Sequence, residues 1–196
     1  TKVLSVSGDC RSPGVFELPF GVTIKSLLKL CGGENAIAVQ VGGPSGQLAD
    51  PSQYDRTICY DDLATGGSIM VFGPGRNVLE IAEAYMEFFC HESCGYCTPC
   101  RVGNVLLKER LSAINAGRGP PEDLAYLQEL GETVKLMSRC GLGQTSANPV
   151  LTTLRNLRPA YERVVKPQQD GLLPSFDLRA RVQEAERIIG RMSSHT

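Results

Sequence analysis

The stretch ESCGYCTPCR, residues 92–101, sets Cys94, Cys97 and Cys100 at intervals of three. A fourth thiol, Cys140 in SRCGLGQ, stands 40 residues beyond Cys100. Three thiolates in an irregular turn wrap three corners of a cubane, and a remote segment supplies the fourth. The quartet therefore suits a [4Fe–4S] cluster, which is held by four cysteine thiolates. Structural zinc favours two separated C-x2-C pairs or a Cys2His2 set. Here three cysteines are bunched and one is single. On spacing alone, zinc and disulfides remain as alternatives. Gly95 permits tight curvature, and Pro99 fixes φ while removing one N–H. The N–H groups of such a loop can donate to cluster sulfurs and tune their potential. His91, beside the loop, reads as a capping or surface residue rather than a ligand.

The other four cysteines are dispersed. Cys31 and Cys59 sit in apolar sequence and read as packed thiols, while Cys90 closes the apolar face of a helix close to the triplet. Cys10 carries no assignable role. Disulfide scaffolds are usually shorter and denser in cysteine. The start, TKVLSVSGDC, has no apolar block of the signal-peptide kind. The expectation is a reducing cytoplasm. Without an initiator Met, Thr1 reads as a cut or boundary rather than a true start.

The elements that must position these thiols fall into two halves, with a change near residue 75. KVLSVSG (2–8) and GVFELPF (14–20) predict a hairpin across the turn DCRSPG. A short helix follows, with Thr23 as its N-cap and Gly32 just past its end. AIAVQV (36–41) and SIMVFG (68–73) predict buried strands, with GGPSG and ATGG as turns. That order suits a small α+β sheet of the β-grasp type over residues 1–74. The remainder predicts helices. Val78, Leu79, Ala82, Tyr85, Met86 and Phe89 make one stripe, and Val102, Val105, Leu106 and Leu111 another. A third helix starts near PEDLAYL with acidic residues. Asn148 is expected to cap a fourth, with Pro149 at its first position. Pro159 ends or kinks it. An antiparallel helix pair would return Cys140 to the triplet. The expected organisation is a β-grasp unit (1–74), a helical bundle with the cysteine site (75–165), and a C-terminal loop and amphipathic helix (166–196). Leu178, Val182, Ile188 and Ile189 give that last helix a face that packs on its own bundle or on a neighbour.

The chain has 196 residues, a formal charge of -1 and 42% hydrophobic residues. It is long enough to bury a core without cross-links. Near-neutral charge argues against nucleic acid or an anionic membrane as the main partner. No apolar run of about 20 residues exists to insert in a bilayer.

ESCGYCTPCRVG, followed after two helices by SRCGLGQTSANPV, resembles the C-terminal part of the NADH-binding flavoprotein subunits. These serve respiratory NADH:quinone oxidoreductase, NAD-reducing hydrogenases and NAD-dependent formate dehydrogenases. SVSGDCRSPGVFELPFG and VQVGGPSG resemble their soluble-ligand-binding β-grasp domain. The resemblance covers about residues 1 to 165 and implies that Cys94, Cys97, Cys100 and Cys140 bind a [4Fe–4S] cluster. It further implies a neighbouring flavin mononucleotide that takes hydride from NADH and passes electrons singly to the cluster. The partners implied are an iron–sulfur diaphorase subunit and hydrogenase subunits. GPGR and GLGQ do not form a G-x-G-x-x-G pattern, so the chain looks like the C-terminal third of such a subunit, with the flavin and NADH residues elsewhere. GLGQTSANPVLTTLRNLRP is more similar to the hydrogenase and formate dehydrogenase group than to the respiratory enzyme. The competing reading from another class is a non-enzymatic interaction module stapled by a structural metal.

Overall fold

The structure is a computed structural model that describes residues 1–167 and 178–190. Strands β1 (Lys2–Gly8) and β2 (Gly14–Leu18) form the expected antiparallel hairpin, with Lys2 opposite Leu18 and Val6 opposite Gly14. After β3 (Val22–Thr23), helix α1 (Ile24–Cys31) begins where Thr23 Oγ1 accepts the Ser26 N–H at 3.1 Å. It stops at Gly32, whose φ of 68° is the left-handed conformation that favours glycine. Strands β4 (Ala38–Val41), β5 (Gln47–Ala49), β6 (Thr57–Ile58) and β7 (Ser68–Phe72) follow. A five-stranded mixed sheet runs β2-β1-β7-β4-β5, with β1 and β7 parallel and the other pairs antiparallel; β3 and β6 make a separate ribbon. Alternation along β1 and β7 turns Leu4, Val6, Ile69 and Val71 onto Ile24, Leu27, Leu28 and Cys31 of α1. Each such side chain contributes about 1.5–3 kcal/mol when fully buried.

Helices α2 (Val78–Glu92), α3 (Thr98–Asn115) and α4 (Glu122–Met137) pack in succession. Short helices α5 (Gly141–Ser146), α6 (Asn148–Asn156) and α7 (Arg158–Glu162) close over them. The backbone of 178–189 forms α8 (Leu178–Ile189). The α2 stripe is as expected at Val78, Leu79, Ala82, Met86 and Phe89, which are buried, while Tyr85 is half-buried. Of the expected α3 stripe only Leu111 is buried. Val102, Val105 and Leu106 are exposed, and the inner face is Cys100, Gly103, Asn104, Leu107, Leu111 and Ile114. Hydrophobicity misleads here because the inward positions near the cysteines carry small and polar residues. A Cβ on Gly103 would come within 2.3 Å of Val134 on α4, so only glycine admits that approach.

Two helix boundaries also differ from expectation. Asn148 lies inside α6 rather than capping it, and its side-chain N–H donates to Ser45 O at 2.6 Å. Pro149 is accordingly one place further into the helix. The chain breaks at Leu157, and Pro159 sits in the first turn of α7 instead of ending α6. Ile188 and Ile189 of α8 are exposed. The predicted loop over 165–174 lies mostly outside the described residues, as does the Leu178 side chain.

Sheet and helices are joined by a seam. Ala38, Leu48 and Phe72 pack with Ile81, Tyr85 and Leu157. Within it, the Leu48 N–H donates to Thr152 Oγ1 at 3.3 Å, and Asn156 Nδ2 donates to Leu48 O at 2.6 Å. Among the described residues, no helix is long and apolar enough to cross a membrane.

Candidate metal centre

The centre is built where α2 ends. The Ser93 N–H closes the last turn onto Phe89 O at 3.1 Å, and the chain then leaves the helix. Gly95 turns it with φ of 75°, a conformation costing other residues about 1–2 kcal/mol. Cys97 is the N-cap of α3, with Thr98 and Pro99 beginning the first turn and Cys100 completing it. The triplet is thus half loop and half helix, not wholly an irregular turn. Cys140 returns at the far end of α4 as the N-cap of α5.

Cys94, Cys97 and Cys140 line one surface cavity of about 410 Å³ with Tyr96 and Arg139. Cys94 and Cys140 are exposed, Cys97 is half-buried and Cys100 is buried. The structure therefore brings the distant thiol to the local loop. Cys100 is packed from the interior side: Asn104 Nδ2 reaches its sulfur at 3.4 Å and Ser93 Oγ at 3.3 Å. Asn104 is itself fixed, its Oδ1 accepting the Ser146 hydroxyl at 2.8 Å. Gly143 lets α5 lie this close, since a Cβ there would stand 3.2 Å from the Cys100 Cβ and 2.5 Å from the Ser138 Cβ.

The Cys97 thiol is held below the ordinary thiol range. The Arg139 backbone N–H is the main cause and the Cys100 backbone N–H the second, with the Ser138 hydroxyl contributing least. Cys97 makes no side-chain capping bond, and the buried Ser138 Oγ has no hydrogen-bond partner. N–H groups converging on a sulfur favour its thiolate, the form that binds metal. The free N–H groups and dipole of the long α3 helix act in the same sense.

Arg139 also bridges through its side chain. Its Nη1 donates to Tyr96 Oη at 2.8 Å, and the guanidinium carbon lies 4.9 Å from the Tyr96 ring centroid. Such an exposed cation–π contact contributes about 0.5–1 kcal/mol. Arg158, by contrast, pairs with Glu162 at 2.9 Å on an exposed face.

Among the described residues, no three His, Cys, Asp or Glu side chains are gathered to hold a single metal ion. A tetrahedral zinc with Zn–S near 2.3 Å would need sulfurs about 3.8 Å apart. A cubane seats each thiolate on a different iron and spreads them more widely. The half-open cavity, the N–H groups aimed at Cys97 and the unpartnered Ser138 hydroxyl fit an anionic, sulfur-rich cluster.

The remaining cysteines lie elsewhere. Cys31 is buried under the sheet, with its thiol pushed up to about 11 by burial first and by nearby Cys10 second. Cys59 is half-buried beside Thr57 Oγ1 at 3.3 Å. Cys90 is half-buried, and burial raises its thiol. Sequence reasoning misses Ser93, Asn104, Ser138 and Gly143. Asn104 alone leaves a signal, one helical turn after Cys100.

The four thiols lie where α2, α3 and α5 meet. Residues 80–164 match the family described as the NADH-ubiquinone oxidoreductase-F iron–sulfur binding region. The chain is 42% identical to the alpha subunit of the NAD-reducing hydrogenase HoxS of Cupriavidus necator, covering 91% of this chain and 30% of that protein. It is 32% identical to the F subunit of NADH-quinone oxidoreductase of Streptomyces coelicolor, covering 81% and 37%. A crystal structure of NAD+-reducing [NiFe]-hydrogenase in the H2-reduced state matches with a TM-score of 0.81 and 36% identity, over 99% of this chain and 34% of that one. The chain spans about a third of the length of the curated relatives it matches.

Proposed function

We propose that Cys94, Cys97, Cys100 and Cys140 ligate one [4Fe–4S] cluster that relays single electrons within an NAD-linked oxidoreductase. The carrying observation is that Cys140, 40 residues beyond Cys100, opens onto the same cavity as Cys94 and Cys97. When bound, the cluster supplies one-electron transfer without bond chemistry. The protein's share is placement and tuning. Asn104 donates to the buried Cys100 sulfur, the Arg139 and Cys100 N–H groups favour the Cys97 thiolate, and Gly143 admits α5.

In this reading residues 1–74 are a β-grasp domain. The hairpin, the helix crossing one face and the central parallel pair β1–β7 support it. Residues 75–165 are the helical bundle that holds the cluster, and 166–196 an appended loop and helix. The complete subunit would carry flavin mononucleotide and take NAD(H) as substrate on further sequence. It would work in the cytoplasm beside an iron–sulfur diaphorase subunit and hydrogenase subunits. The similarity to the C. necator hydrogenase favours a hydrogenase. The similarity to the S. coelicolor NADH-quinone oxidoreductase gives a second reading, in which the same relay serves quinone reduction.

Iron and acid-labile sulfide analysis of anaerobically purified protein tests the central claim. Four iron and four sulfide per chain are expected; a single zinc with no sulfide overturns it. Co-purifying subunits separate the hydrogenase from the quinone-linked reading.

A further inference from the structure

We propose that Tyr96 and Arg139 form a clasp that seats the returning Cys140 segment on the local cysteine loop, and that the Arg139 charge raises the potential of the group held there. This rests on the cluster reading above. Tyr96 lies between Cys94 and Cys97, and Arg139 immediately precedes Cys140, so each belongs to a different one of the two converging segments. Both line the cavity. They meet twice, through the 2.8 Å bond from Arg139 Nη1 to Tyr96 Oη and through the guanidinium stacked 4.9 Å from the ring centroid.

Tyr96 is 74% exposed, so burial does not explain where its ring sits. The contact that fixes it is the one with Arg139. Because Cys94 and Cys140 are exposed on the cavity wall, solvent and chelators reach the site from this side. The clasp spans that side, and its cation lies beside an anionic cluster. A positive charge there favours the reduced, more negative form, which is a rise in potential. Tyr96 and Arg139 are positioning residues rather than ligands.

The test uses the complete subunit, purified anaerobically as wild type, Tyr96→Ala, Tyr96→Phe, Arg139→Gln and Arg139→Lys. Two quantities are measured: the rate of iron release to an added chelator, and the cluster midpoint potential by paramagnetic-resonance redox titration. Tyr96→Ala should release iron several-fold faster than wild type, with Tyr96→Phe, which keeps the ring and loses the hydroxyl, in between. Arg139→Gln should lower the midpoint, whereas Arg139→Lys should keep the midpoint near wild type while releasing iron faster. If Tyr96→Phe, Arg139→Lys and Arg139→Gln all match wild type in both quantities, the clasp is overturned. Should wild type itself lack four iron and four sulfide, the cluster reading fails first.

Discussion

Two backbone N–H groups hold the Cys97 thiol below its ordinary range, first that of Arg139, on the segment that carries Cys140, and then that of Cys100, on its own helix. Replacing that sulfur by oxygen should therefore do more than delete a ligand. On the relay proposed above, Cys97→Ser in the complete subunit is expected to lose or convert the cluster and to slow electron delivery beyond the proposed flavin. NADH oxidation by an artificial acceptor at the flavin should fall far less. Equal loss of both activities would show that the substitution unfolds the subunit. Cys31→Ala is the matched control, because Cys31 packs under the sheet and should leave the paramagnetic signal unchanged. The spacing marks 94, 97, 100 and 140 as a set. It gives no hint that Cys100 is buried and bonded by Asn104 while Cys94 and Cys140 stay exposed. Burial depends on what packs behind each thiol, and that arrives from α5 and α2.

The elements show where pattern reading succeeds and fails. Helix α1 is legible because its caps, Thr23 and Gly32, act through local bonds. Helix α2 is legible because its buried face is uniformly apolar. Helix α3 misleads because its inner face near the site is Cys100, Gly103 and Asn104, chosen for close approach and hydrogen bonding rather than hydrophobicity. Helix α5 is not legible, since GLGQTS has little intrinsic helix preference and is held by packing on Ser138 and Cys100. That packing makes Gly143→Ala informative. The added methyl meets the Ser138 Cβ at 2.5 Å and must displace α5. Overpacking of this kind costs about 1–3 kcal/mol, against a helix-propensity gain of at most about 1 kcal/mol. Denaturant unfolding should show a net loss of stability, accompanied by incomplete iron loading because Cys140 moves with α5. Unchanged loading together with unchanged stability would contradict the packing account.

Across the full fold, the sheet and helices share a seam, and an ion pair guards the connection between them. Asp9, just after β1, accepts from Arg76 through two bonds of 2.7 Å and from the Gly73 N–H at 2.9 Å. These bonds, Arg76 first, hold its carboxyl far below the ordinary value of 3.8. A depressed carboxylate stabilises the fold above its unfolded-state pKa, and that contribution is lost as pH falls through the folded-state value. The difference in thermal midpoint between wild type and Asp9→Asn should therefore stay constant from neutral pH down to about pH 4. It should shrink only in stronger acid. A difference that vanished already between neutrality and about pH 5 would show that Asp9 is not held in this way.

Local sequence suffices for the spacing that singles out four thiols, the β1–β2 hairpin, the long helices and the caps of α1, because alternation, helical periodicity and capping act over a few residues. It does not suffice for which thiol is buried, which face of α3 turns inward, the tie from Asn148 to Ser45 in place of a cap, or the meeting of Tyr96 with Arg139. Those outcomes join residues 42 to 103 positions apart, and only packing of the folded chain brings such partners within bonding distance.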